Sequence, residues 1–313
     1  MKSPLTNDGP TLTDAEFRMF ADLIREHAGL DFNESSRFLL ERRLGRRIRE
    51  LELGSVSAYH YHIRKGSSGS DELSNLIDEL TTNETYFFRE YSQLRALIDE
   101  IIEELQLDRE KREGRPINVW SAGCSSGEEP YSVAMLAREA GLKPGSDIHV
   151  YASDISRRML RKARKGVYRE ASFRWTDPHL RDKYFIEKDR LWQISDDLKR
   201  DVDFIHLNLL DTSKIALLRT MDVILCRNVI IYFNIDTKCQ VVRTFYEKLR
   251  PGGHLLLGHS ESLINLSTSF ELRHLRRDLV YRRPLPGMAA EDPWNIAAAA
   301  AIARSDHDGI DES

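Results

Sequence analysis

The sequence predicts an α/β protein: a mostly parallel sheet with helices on both faces, preceded by an all-helical segment. Three observations carry this. From about residue 117 onward, short apolar runs alternate with helical segments, the pattern of a parallel sheet with crossover helices. The first third shows only helical periodicity. The alternation breaks once, at 173–199, where "KYFIEKDRLWQIS" holds two short β-like runs around a polar turn; this predicts a small antiparallel insertion.

Along the chain, Thr13 and Glu16 form a capping box. Phe17, Phe20, Leu23 and Ile24 follow at helical spacing, and Gly29 stops the helix. A second helix runs from about Ser36 to Gly54. Phe38, Leu39, Leu44, Ile48 and Leu51 make its apolar stripe, and Arg42, Arg43, Arg46, Arg47 and Arg49 crowd the remainder. A shorter helix covers "AYHYHIRK", "GSSGS" is a loop, and residues 71–80 form another short helix. Beyond "LTTNETYFFRE" (80–90), "YSQLRALIDEIIEELQL" is a long amphipathic helix ending in the charged loop "DREKREGRP". The strands are "INVWSAG", "DIHVYASD", "DVDFIHLNLL", "MDVILCRNV" and "HLLLGHSE", with "LVYRRP" as a last edge strand. Helices begin near Glu128, cover "ISRRMLRKARKG", and cover "DTKCQVVRTFYEKLRPGG". The expected organisation is a helical domain (1–80), a linker and helix (81–116), a sheet domain (117–284, with the β-subdomain at about 173–200) and a disordered tail (285–313), whose alanine run and acidic end have little to bury.

A chain of 313 residues is comfortable for two domains. With 41% hydrophobic and 31% charged residues, the balance is that of a soluble globular protein. A net charge of −4 gives no field toward nucleic acid or anionic membrane. The three cysteines, Cys124, Cys226 and Cys239, are an odd, widely spaced set. That is neither a disulfide framework nor a zinc site, and it suggests a reducing compartment. No apolar run reaches the roughly 20 residues of a membrane helix, and the N-terminus lacks a signal core. The expectation is a cytoplasmic protein without a membrane anchor.

In an open parallel sheet the ligand sits beyond the carboxyl ends of the strands. After the first strand, Gly123 and Gly127 allow a tight turn and close backbone approach. Glu128 and Glu129 occupy the helix N-terminus that a pyrophosphate would need. They suit a cationic ligand with a sulfonium and an ammonium; alternatively they merely favour the helix dipole. A dehydrogenase would have a third glycine at Pro130 and no acids there. Asp154 ends the second strand where an acid accepts ribose hydroxyls, or caps the next helix. Residues 208–210 ("NLL") and "CRNVIIYF" offer polar groups for an adenine edge and Leu209 for its face, with an Asx turn the plainer role for Asn228. His60 and His62 lack cysteine partners for zinc. Cys124 has no base placed to activate it and fills the turn. Nucleoside binding without phosphate, beside acids, points to S-adenosylmethionine.

"TTNETYFFRE", "WSAGCSSGEEPYSVAM", "ASDIS", "NLL", "CRNVIIYF" and "GHSESL" resemble, in order, the motif series of the CheR family, the chemotaxis receptor glutamate O-methyltransferases. The resemblance runs from about Thr13 to Arg283. It implies a Rossmann-like class I methyltransferase sheet with a small antiparallel β-subdomain behind an all-helical N-terminal domain. It implies methyl transfer from S-adenosyl-L-methionine to glutamates of methyl-accepting chemoreceptor cytoplasmic domains, with S-adenosyl-L-homocysteine as product and no metal. By motif position the cofactor contacts fall on Asn83, Thr85, Arg89, Glu129 (or its neighbour Glu128), Asp154, Asn208, Leu209, Cys226 and Arg227, with Gly123 and Asn228 beside them. Tyr232 matches the active-site tyrosine, next to Arg89. The alternative is a regulatory scaffold that binds the cofactor but transfers weakly; the retained Asn83, Arg89, Asp154 and Tyr232 argue against it.

Further expectations follow from the resemblance. The partner is the receptor, with no nucleic acid and no membrane insertion, and the enzyme is a monomer. In this family the helical domain faces glutamate-rich receptor helices, which the arginine-rich second helix would complement, Arg46 and Arg47 included; solvated surface arginines are the plainer reading. The hairpin "YFIEKDRLWQISDDL" is shorter than in members that tether to a receptor's C-terminal pentapeptide, and it lacks their glycine. The edge that would add a peptide strand is therefore altered, and the expected enzyme is independent of that tether. In "LTTNETYFFRE", Asn83 and Thr85 supply neutral contacts, the three rings anchor the linker and exclude water, and Arg89 points at carboxylates.

Overall fold

A computed structural model describes residues 11–66, 69–107 and 113–287. Four helices come first: α1 (Asp14–Ala28), α2 (Arg37–Glu50), α3 (Val56–Lys65) and α4 (Gly69–Leu80). The Thr13–Glu16 capping box closes both ways, and Gly29 at φ 73° ends α1 in the left-handed region. A Cβ at Gly29 would lie 2.6 Å from Thr237 Cγ2, so the turn needs glycine for its conformation and for its close approach to the sheet domain. Leu40, Leu44 and Ile48, spaced by four, face a core with Phe20, Ile24, Tyr59 and Leu76. Phe38, expected on that stripe, is 62% exposed; it lies two residues, about 200° of helix, from Leu40.

A buried carboxylate crosses this core. Glu72 accepts from Arg47 Nη2 (2.6 Å), Arg47 Nε (3.0 Å) and the Tyr59 hydroxyl (2.7 Å). A buried acid must be paired, so Arg47 belongs to the interior of the helical bundle and not to its charged surface.

Helix α5 (Tyr91–Ala96), a π-helical stretch (Leu97–Ile102) and α6 (Glu103–Leu107) form the expected long helix. The sequence carries no signal for the π turn. Most of the "DREKREGRP" loop, two residues of "GSSGS" and all of the tail beyond residue 287 lie outside the described residues.

Ten strands follow: β1 (Ile117–Ala122), β2 (Ile148–Asp154), β3 (Val167–Tyr168), β4 (Phe185–Lys188), β5 (Leu191–Ile194), β6 (Val202–His206), β7 (Met221–Cys226), β8 (Leu249–Leu257), β9 (Glu271–His274) and β10 (Leu279–Arg282). The main sheet has the order β6-β2-β1-β7-β8-β10-β9. Its first five strands are parallel, and β10 and β9 are antiparallel additions. The interleaved helices are α7 (Glu128–Glu139), α8 (Arg157–Lys165), α9 (Pro178–Tyr184), α10 (Asp196–Lys199), α11 (Thr212–Ala216) and α12 (Ile235–Lys248). Among the described residues, no helix is long and apolar enough to cross a membrane.

Three details differ from expectation. "LVYRRP" is not the edge strand: β10 sits between β8 and β9, and the charged "ELRH" of β9 hides a strand behind polar residues. "RPGG" does not end α12 but opens β8, because Pro251 cannot continue a helix. The insertion also has a third strand, β3, and the order β3-β5-β4. Its β4–β5 turn holds Asp189 (φ 53°) and Arg190 (φ 60°), both positive as a two-residue hairpin turn requires, without glycine.

Candidate functional site

The strand order reverses at β1 and β7, the switch point where an open sheet binds its ligand. A cleft of about 1030 Å³, solvent at its mouth included, opens there. Asn83, Thr85, Arg89, Gly123, Glu129, Asp154, Asn208, Leu209, Arg227, Asn228 and Tyr232 all border it.

Each is positioned by a different piece of chain. The β1 turn passes under the β7 loop so closely that a Cβ on Gly123 would lie 2.4 Å from Val229 Cγ2. Asp154 at the end of β2 accepts from the Ser125 and Ser156 amides, each at 2.8 Å. Burial pushes its carboxyl up to about 6. The helix-cap role falls instead to Ser156, whose hydroxyl accepts from the Met159 amide (3.1 Å) at the start of α8, while Asp154 borders the cleft.

The two acids of α7 part company. Glu129 faces the cleft and accepts from the Ser121 hydroxyl (2.6 Å) and Arg227 Nη1 (3.1 Å). Glu128 is turned away beneath the insertion. It accepts from the Ser126 hydroxyl (2.8 Å) and the Ser172 hydroxyl (3.2 Å), and burial pushes its carboxyl up.

Arg227 is a buried strut. Its guanidinium meets Glu129, Glu90 Oε2 (3.0 Å) and the Arg89 carbonyl (2.5 Å). Two carboxylates meet this one guanidinium, and of the two Glu129 borders the cleft. Arg89 itself donates only to the Glu84 carbonyl, at 3.1 Å, and no ion pair engages it among the described residues.

In the linker, Asn83 Nδ2 closes a local turn onto the Thr81 carbonyl (3.0 Å). The three rings divide. Phe87 sits among Tyr168, Phe173 and Phe185 of the insertion, with centroids 4.8, 5.0 and 5.0 Å away. Phe88 is buried, its amide donating to Ser132 Oγ (2.9 Å). Tyr86 alone borders the cleft, with the Arg174 guanidinium 3.9 Å above its ring.

Cys226 is the candidate that fails to reach the cleft. It is fully buried and shares its face of β7 with Ile224 in the core, as strand alternation requires. Its side chain is not among those that line the cleft. Asn208 borders the cleft but commits its side chain elsewhere: Nδ2 donates to the His27 carbonyl (2.5 Å), and Oδ1 accepts from the Leu210 amide (3.0 Å).

Some lining residues have no sequence signal. Ala28 and Leu30, at the end of α1, form part of the wall. The Asp31 amide donates to the Tyr232 carbonyl (2.9 Å), and Leu30 bridges to Phe233. Glu90, the second partner of Arg227, is equally silent. Glu261 lies within the quoted "GHSESL", yet nothing in the sequence assigns it a role. Among the described residues no group of His, Cys, Asp or Glu could hold a metal ion.

Two family models match the chain: "CheR methyltransferase, SAM binding domain" over residues 83–279, and "CheR methyltransferase, all-alpha domain" over residues 15–81. Chemotaxis protein methyltransferase 2 of Vibrio cholerae serotype O1 is 38% identical over 282 residues, 90% of this chain and 96% of that protein. The chemotaxis protein methyltransferase of Escherichia coli K12 is 37% identical over 267 residues, 84% of this chain and 89% of that protein.

Asp154 generates a pH prediction. A carboxyl raised to about 6 is fully charged only above that pH, and the charged form is the better acceptor for sugar hydroxyls. S-adenosylhomocysteine affinity is expected to be flat above pH 7 and to weaken below 6, approaching about tenfold per pH unit. Calorimetry between pH 5 and 8 checks this; a flat affinity across the range would remove Asp154 from the ligand contacts.

Proposed function

The chain belongs to the CheR methyltransferase family, and from that premise we propose that it is a protein-glutamate O-methyltransferase acting on the cytoplasmic domains of methyl-accepting chemoreceptors. It works in the cytoplasm as a monomer, with a receptor-facing helical domain (1–80), a linker (81–116) and a catalytic domain (117–284). The supporting observation is the convergence of Asn83, Arg89, Glu129, Asp154, Arg227 and Tyr232, drawn from the linker and three strand ends, on one cleft.

The residues present suit S-adenosylmethionine. Glu129, the acid of the Arg227 pairs that borders the cleft, favours a sulfonium and an ammonium and opposes a pyrophosphate. Glu129, not Glu128, is the acid assigned to this contact. Asp154 takes ribose hydroxyls, and Leu209 lies against the base. When bound, the cofactor supplies an electrophilic methyl group. The protein has little else to provide, because a substrate glutamate, with a reference pKa of about 4.3, is already ionised at neutral pH. Its tasks are alignment and exclusion of water. Arg89, without a carboxylate partner of its own, orients the incoming carboxylate. Tyr232 positions it, and the Tyr86–Phe88 segment seals the mouth.

The receptor-facing element is α2, but its arginines are not equivalent. Arg43 and Arg46 share Glu79, and Arg47 serves the buried Glu72. Arg42 and Arg49 are exposed, with no ion pair among the described residues. These two, rather than Arg46 and Arg47, are the positions offered to glutamate-rich receptor helices. The short glycine-free β4–β5 turn supports receptor recognition independent of a C-terminal pentapeptide.

Three outcomes test this reading. Arg89→Ala and Tyr232→Phe are expected to lower turnover by about 10- to 100-fold with the fold intact, in a tritiated-methyl assay that scores base-labile volatile counts. Wild-type rates in both variants would sink the role assignment, and cofactor binding without any transfer would favour a regulatory scaffold. Charge reversal of Arg42 and Arg49 together should raise the receptor KM severalfold and flatten its salt dependence. By contrast, Arg47→Ala should cost about 2–4 kcal/mol of stability by stranding Glu72, read by denaturant unfolding; an unchanged KM in the double reversal argues for a merely solvated helix. Calorimetry with a receptor C-terminal pentapeptide should give no binding heat, and micromolar binding would overturn tether independence.

A further inference from the structure

We propose that Glu261 is a positioning residue: a carboxylate that sets the loop after β7, and through it Tyr232, for methyl transfer; this rests on the function proposed above. Its two oxygens collect four backbone amides. Oε2 accepts from Asn228 (2.7 Å) and Gly258 (2.8 Å), and Oε1 from Val229 (2.9 Å) and Ile231 (3.2 Å). Three of the four donors belong to the run that leads directly into Tyr232.

That run cannot hold itself. Asn228 sits at φ 59°, in the left-handed region that costs a non-glycine residue energy. The 3₁₀ turn that presents Tyr232, Ile230–Tyr232, is three residues long. So short a turn supplies little order of its own. The amides of this strained segment would be left without partners if the carboxylate were removed.

The fit is close. A Cβ on Gly258 would lie 2.9 Å from the Asn228 amide nitrogen, so the end of β8 can approach only as glycine, and that approach brings Glu261 under the loop. No cation pairs with Glu261 among the described residues. The charge is met by amide dipoles alone, in the manner of an anion in a backbone nest. A half-buried acid without a counter-ion is a costly way to close a loop. A carboxylate, however, satisfies four converging donors with two atoms.

Glu261→Gln keeps the shape but turns a donor toward two of the four amides. Amide exchange at Asn228, Val229 and Ile231 should accelerate by at least about tenfold, with β2 amides unchanged. Receptor methylation should lose about tenfold or more in kcat, and the cofactor KM should move less. In a Tyr232→Phe background the same change should cost less than about threefold further, because both act through one group. Glu261→Asp, which keeps the charge one methylene short, should shift the same amides to a smaller degree and remains readable if the Gln variant does not fold. Unchanged exchange at 228–231, or an undiminished loss in the Tyr232→Phe background, would overturn the assignment. Exchange needs no substrate, so it judges Glu261 separately from the outcome that would sink the proposed function, a wild-type chain that transfers no methyl group.

Discussion

The cleft depends on one buried guanidinium. Arg227 has a side chain 1% exposed and is held between Glu90 and Glu129. A charge taken so far from water is tolerable only when its partners are in place, and here two carboxylates and a carbonyl share that task. The partners come from different parts of the chain, Glu90 from the linker and Glu129 from α7. Arg227 also accepts responsibility for the backbone beside Arg89, donating to its carbonyl. The strut thus fixes the linker against the sheet, and with it the position of every linker residue on the cleft. Phe87 then anchors the same segment in the aromatic cluster of the insertion, so three parts of the fold meet along one short stretch.

On the opposite wall the helical domain completes the site. The end of α1 is tied to the sheet domain by the Asn208–His27 and Asp31–Tyr232 hydrogen bonds, and the close approach depends on Gly29. Ala28 and Leu30 are the apolar part of that wall. The helical domain is therefore part of the binding cleft and not only a neighbour of it.

What the sequence made legible is what short-range pattern encodes. The alternation of strands and helices, the capping box at Thr13, the glycines of the β1 turn and the acid ending β2 each depend on neighbours within a few residues. The order of strand-end motifs then brought Asp154, Asn208 and Tyr232 to one place. The misses are of another kind. Phe38 was assigned to a stripe whose phase is set by Leu40, Leu44 and Ile48. Cys226 was drawn to the cleft by its motif, but the alternation of β7 turns its thiol into the core. Strand β9 is concealed because an edge strand needs little apolar character. Leu30, Glu90 and Glu261 act through partners far away in sequence, and no local pattern marks a residue whose role is to satisfy another segment's amides or charge.

The arginines show how this distinction bears on chemistry. By type and spacing Arg47, Arg227, Arg89 and Arg42 look alike, yet the structure separates them by what they already hold. Arg47 is committed to the buried Glu72, and the buried Arg227 to Glu90 and Glu129. Arg89 donates only to a carbonyl, and Arg42 has no ion pair among the described residues. Among the described residues, Arg89 is thus a guanidinium that borders the cleft with no ion pair of its own. Of the acids that border the cleft with it, Glu129 is held in place by Arg227 and Asp154 by two amides. Under the proposed function, these held acids would face the cationic donor and the Arg89 guanidinium the anionic acceptor. On that same reading, attack by a glutamate that is already ionised needs no general base.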